Sequence, residues 1–222
     1  MPVDLHIMDK AKLFSEPERR LVMTILEDTL AKVERCCPLG DLDIVIFPTE
    51  NYTHPEAYHG GYTYSANCLE ISVNPRHGLF AARFAVEFPA LILHEVHHCL
   101  RFRHVRDWNV GELVVLEGLA MNAETAFGDA PLPTDSSMTD GTLLQLCAKA
   151  LETKDEAGFD KTAWVYGRDS DEETPYIYLI GRKLVNAALS ILTKNAFEAV
   201  AEDSQTLLAL GKDGLGLNVH AP

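Results

Sequence analysis

Residues 94 to 98 read His94-Glu95-Val96-His97-His98, directly after the apolar run Ala90-Leu91-Ile92-Leu93. On a helix, side chains four apart stand one above the other on one face. His94 and His98 could therefore offer two imidazoles to a single Zn²⁺, with Glu95 beside them to take a proton from a water that the metal activates. The chemistry this spacing names is metal-assisted hydrolysis, most often of a peptide bond. The competing reading is a helix whose histidines are hydrogen-bonded in the core or solvated. Leu91, Ile92, Leu93, Val96, Cys99 and Leu100 weigh against it, because polar groups buried among them need partners. His97 points about 100° away from His98 on a helix and is not counted as a ligand.

A catalytic zinc takes three protein ligands and keeps one position open. Three residues compete for the third place. Glu117 follows His98 by 19 residues, within Leu116-Glu117-Gly118-Leu119-Ala120. A carboxylate there can fold back from the next antiparallel helix, and its apolar neighbours make an unpartnered acid costly. His104 occupies the last position of the extended pattern H-E-x-x-H-x-x-G-x-x-H, but the glycine that turns the chain there is replaced by Arg101. Asp107, on an expected loop, is the third. Glu117 is favoured.

The elements that must position these residues follow from pattern. Val3 to Met8 alternates as a strand. Ser15-Glu16-Pro17-Glu18 has capping-box spacing, predicting a helix to about Arg35 with Leu21, Val22, Ile25, Leu26, Leu30 and Val33 on its apolar face. Asp43 to Phe47 reads as a strand buried on both faces, and residues 48 to 61 as a loop. Gly61 to Tyr64 and Cys68 to Val73 read as a hairpin turning near Ser65-Ala66-Asn67. The motif helix is expected to start at Pro89 and run to about Phe102. Further helices are expected at about Gly111 to Phe127 (ending at Gly128), Thr142 to Glu152 and Tyr176 to Leu192, then short ones to Leu210. Pro131 and Pro133 mark a loop, and the acidic run at 169–173 another. Strands early and helices late predict an α+β fold, a small mixed sheet with a hairpin edge strand followed by a mainly helical half. We expect one domain over 1–222, with a sheet part to about 80 and a helical part from about 81 to 210.

Hydrophobic residues make up 47% of the 222, enough for a full core. The balance of 19 basic against 33 acidic residues, net −14, argues against nucleic acid and anionic membrane as partners. No leader pattern opens the chain and no apolar run is long enough to span a bilayer. The five cysteines are odd in number and irregularly spaced, which fits a reduced cytoplasm.

With the motif followed by Glu117-Gly118-Leu119-Ala120, the chain resembles the gluzincin clan of zinc metallopeptidases. More closely it resembles a bacterial family of predicted Zn-dependent proteases of unknown function. The likeness covers roughly residues 40 to 200. It includes Gly60-Gly61-Tyr62-Thr63 running to Ile71-Ser72-Val73-Asn74-Pro75, Arg101 three residues past His98, and Tyr178-Leu179-Ile180-Gly181. Two positions depart from the pattern. Ile177 stands where the family has Gly, and Met121 stands four residues past Glu117, where many gluzincins keep an acidic partner for the site. Asn122 or Glu124 would have to supply that partner.

The resemblance implies a zincin-like fold and a zinc-dependent peptidase with His94, His98 and Glu117 as ligands and Glu95 as general base. Tyr178 is the candidate donor to the oxyanion, with Tyr176 and Tyr166 as competitors. Arg101 is either a partner to a carboxylate behind the site or a plain surface residue. A peptide or protein substrate would add as a strand to the hairpin edge. Two other readings stand beside this one: a metal-binding regulatory or interaction protein that cleaves nothing, and hydrolysis of a non-peptide amide.

Overall fold

The computed structural model describes residues 3–50, 58–127, 139–161, 164 and 176–217. Gly128, Pro131, Pro133, Tyr166 and the acidic run at 169–173 lie outside them. The described residues fall into two compact units, one running to Arg103 together with Phe127, the other starting at His104.

The first unit holds strands β1 (Val3–Ile7), β2 (Leu42–Pro48), β3 (His59–Ser65) and β4 (Cys68–Val73), with helices α1 (Glu16–Glu34) and α2 (Phe80–Phe102). The strand order is β1-β2-β4-β3. β1–β2 and β2–β4 are parallel and β3–β4 is antiparallel, so the sheet is mixed and β3 lies at its edge. The α1 start follows from the expected box. Ser15 Oγ accepts from Glu18 N at 3.4 Å and Glu18 Oε2 accepts from Ser15 N at 2.7 Å, satisfying two amides at the helix start. Val22, Leu26, Leu30 and Val33 are buried as expected, but Leu21 is 40% exposed, one position off the buried stripe.

β2 is not buried on both faces. Ile44 and Ile46 are fully buried while Asp43 is exposed and Val45 and Phe47 are half-buried. The register continues that division across the sheet. Ile44 pairs with Leu69 and Ile46 with Ile71, and these in turn oppose Thr63 and Gly61 on β3. Strand side chains alternate, so Gly61 and Thr63 share the core side with Leu69 and Ile71, while Tyr62 and Tyr64 project outward at 57% and 58% exposure.

The motif helix starts at Phe80, not at Pro89. Phe80, Phe84 and Phe88 stack at ring-centroid spacings of 4.5 and 4.3 Å and are almost wholly buried. They begin an every-fourth-residue stripe that continues through Ile92, Val96 and Leu100. A proline inside a helix costs about 3 kcal/mol. Burying three phenylalanines offers roughly 5–9 kcal/mol, so packing decides the boundary.

The second unit is helical: α3 (Val110–Ala123), α4 (Asp140–Glu152), α5 (Tyr176–Leu192) and α6 (Ser204–Gly214). Asn109 caps α3 by accepting from Glu112 N at 2.8 Å. Val110 through Met121 are all buried, which makes α3 the central helix of the unit. It stops at Ala123, four residues before the expected end. α3 and α5 touch backbone to backbone: a Cβ on Gly118 would lie 2.4 Å from Gly181 O, and one on Gly181 2.5 Å from Val114 O. Only glycine fits either position. As expected, the chain combines a mixed four-stranded sheet with helices that predominate in the C-terminal half.

Candidate metal centre and general base

α2 sets out its polar residues by helical spacing. His94 and His98 are one turn apart, their rings edge to face with centroids 4.6 Å apart. Both are buried, at 9% and 8% exposure. One ligand atom from each of His94, His98 and Glu117 lies within 4.8 Å of the others, and all three side chains are buried. Among the described residues this is the one such group of three or more His, Cys, Asp or Glu. Two imidazole nitrogens and one carboxylate oxygen make a donor set suited to zinc with an open position. His104 and Asp107 are exposed and stand outside this group. His97 is fully buried and also stands outside it.

Glu95 is held from β3. The Thr63 hydroxyl lies 2.8 Å from Glu95 Oε2 and 3.0 Å from the Glu95 main-chain oxygen, a donor to either. Gly61, two residues earlier on the same side of the strand, lets the side chain in. A Cβ there would lie 2.4 Å from Glu95 Cγ and 2.6 Å from Cδ and Oε1. Neither residue was assigned a role from the sequence. The signal was present in Gly60-Gly61-Tyr62-Thr63, but its partner lies 32 residues away, and only the strand register shows which two of the four side chains turn inward. Cys99, one turn beyond Glu95, shares the Thr63 neighbourhood. Burial pushes its thiol up to about 12, with the Thr63 hydroxyl opposing, so it stays protonated at neutral pH.

The remaining candidates are placed as follows. Arg101 is 2% exposed, so it is not a plain surface arginine. Tyr178 and Tyr176 are half-buried in the first turn of α5, Tyr178 one turn before Gly181. The Asn122 amide donates to Gly118 O at 2.7 Å and to Arg182 O at 3.3 Å, so its donors serve the α3–α5 contact. Glu124 interacts with Arg182, opposing the effect of burial on that guanidinium. Met121 is buried at 7%.

The family model described as "Predicted Zn-dependent protease (DUF2268)" matches residues 22–209, from within α1 to within α6. The chain belongs to this family. The match is wider than the span over which the sequence motifs were apparent, and its description supports a zinc-dependent protease at the level of class. Neither a curated protein nor a solved structure matches the chain. No described helix is long and apolar enough to cross a membrane.

Proposed function

We propose that this member of the family is a peptidase of the gluzincin kind, with His94, His98 and Glu117 holding zinc and Glu95 acting as general base. The observation that carries the reading is the buried His94–His98–Glu117 cluster, with Glu95 on the same helix as both histidines. A zinc ion in such a shell supplies an acidified water and a polarised carbonyl. Glu95 takes the proton of the attacking water and passes it to the leaving amine, the two-stage duty of a general base. The Tyr178 hydroxyl donates to the oxyanion. The peptide adds antiparallel or parallel to β3, whose outer edge has no strand beside it among the described residues. Its partners are peptides or proteins, with neither nucleic acid nor membrane favoured by a net charge of −14. None of the five cysteines is joined in a disulfide, which supports a reducing cytoplasm as the compartment.

The test is Glu95→Gln in zinc-loaded protein with unfolded casein as substrate. The variant keeps stoichiometric zinc and loses about 10²–10⁴-fold in hydrolysis. Undiminished hydrolysis would remove Glu95 as base. A wild-type protein that binds no zinc would remove the class.

A further inference from the structure

We propose that Thr63 is a positioning residue for Glu95, and that Gly61 and Thr63 together form a seat on the edge strand that sets which carboxylate oxygen does the chemistry. The inference rests on the reading of Glu95 as general base and adds to it the group that aims the base.

A glutamate is a flexible base. Its side chain has three rotatable bonds, and a base needs its reacting oxygen fixed within a fraction of an ångström of its target. On α2 that constraint comes from β3. Thr63 is 9% exposed, and 2.8 Å is an ordinary length for an O–H donor to a carboxylate. A hydroxyl has one proton to give, and three groups are within its reach: Oε2, the Glu95 main-chain oxygen and the Cys99 sulfur, which is a weak acceptor while protonated. The main-chain oxygen already lies within the α2 ladder, where it can accept from the amide four residues on. The carboxylate oxygen has no such partner within its helix, so it gains more from the proton. With Oε2 engaged, Oε1 is the oxygen left to receive a proton from water. Gly61 faces that oxygen with a bare α-carbon. A side chain there would press on Cγ, Cδ and Oε1 together, and the carboxylate would be pushed out of the seat rather than the strand distorted.

The position of the seat has a second consequence. β3 is also the strand that a peptide would extend. A substrate pairing with its outer edge stiffens the backbone that carries Thr63 and Gly61, so engagement of the peptide tightens the aim of the base. Base alignment and substrate length then become linked through one strand.

The experiment compares Thr63→Val, Thr63→Ser and Gly61→Ala in the zinc-loaded full chain, with casein and with a short and a long fluorogenic peptide as probes. Valine is β-branched and close in shape to threonine, so the strand keeps its packing and loses only the donor. Thr63→Val lowers kcat about 10- to 100-fold with KM and zinc content near wild type. Thr63→Ser, which keeps the hydroxyl, recovers most of that loss. Lengthening the peptide raises kcat in wild type and in Thr63→Ser but not in Thr63→Val. Wild-type kcat in Thr63→Val, or a serine variant as impaired as the valine one, would overturn the proposal. Glu95→Gln separates the two layers: if it is inactive while Thr63→Val is normal, only the positioning role fails, and if it is active, the base itself fails. A readout independent of turnover is a crystal structure of each variant. The Glu95 carboxylate leaves its place in Thr63→Val and Gly61→Ala and stays in Thr63→Ser; an unmoved carboxylate in all three refutes the seat.

Discussion

Glu95 and Glu117 are both acids buried on helices, 6% and 5% exposed, yet their surroundings differ in kind. Glu95 sits in the half of α2 where Ile92 through Arg101 are all buried, and it faces a strand that brings a hydroxyl and a gap. Glu117 belongs to a helix buried over almost its whole length and locked to α5 where two backbones meet at Gly118 and Gly181. A hydrogen bond to one oxygen restrains a carboxylate yet leaves the other oxygen able to gain and lose a proton. Dense packing of the backbone that carries an acid fixes where its side chain is presented. The first setting suits a group that must change protonation state in every cycle. The second suits a group whose task is to stay in place.

Exchanging the two acids for neutral residues gives the widest separation. Glu117→Ala weakens zinc binding about 100-fold or more in a chelator competition, while Glu95→Ala stays within a few-fold of wild type. Equal losses in both variants would erase the distinction between holder and base.

The two glycines give a smaller but cleaner contrast. At Gly118 an added methyl meets Gly181 O at 2.4 Å and its carbonyl carbon at 2.6 Å, main-chain atoms that cannot step aside. Gly118→Ala therefore costs about 1–3 kcal/mol or more in urea denaturation. At Gly61 the three atoms nearest the added methyl all belong to the Glu95 side chain. Gly61→Ala stays within about 1 kcal/mol of wild type by the same measurement. A large loss of stability at Gly61 would mean that the strand, not the acid, gives way.

The smallest effect concerns a histidine at the other end of β3. Burial lowers the pKa of His59 below the ordinary 6.5, and the nearby Glu87, at 3.5 Å, opposes this only in part. The folded state therefore binds this proton less readily than the unfolded chain. The contribution of His59 to stability is full above pH 6.5 and declines as pH falls through and below that value. Thermal unfolding between pH 8 and 5 should show a gentler acid decline in His59→Gln than in wild type. A steeper decline in the variant would reverse the assigned sign.

Much of this could be read from residue order. The His94/His98 pair follows from helical period alone, α5 begins and ends at the expected residues, and Ser15 with Glu18 announces the start of α1. The choice of Glu117 over His104 rested on the missing glycine at Arg101 and on the apolar setting of α3. What could not be read depends on contacts between distant segments. Pro89 is a starting signal in isolation, and only the stacking of Phe80, Phe84 and Phe88 overrides it. The continuous apolar run at 44–47 suggested burial on both faces, whereas the sheet leaves Val45 and Phe47 half-covered. The relation of Thr63 to Glu95 needs the β3–β4 register, which a turn at Ser65-Ala66-Asn67 does not determine.

That register shifts by one between Thr63 and Ser65, and its phase is what separates the inward hydroxyl from the outward tyrosines. A strand has only two sides, so a single inserted or deleted residue upstream in β3 exchanges them. The phenol of Tyr62 or Tyr64 would then crowd the acid while the threonine faced water. The hairpin thus works as a vernier for α2: its smallest unit of error is one residue, and on the proposed reading one residue is enough to misalign the base with His94, His98 and Glu117 intact.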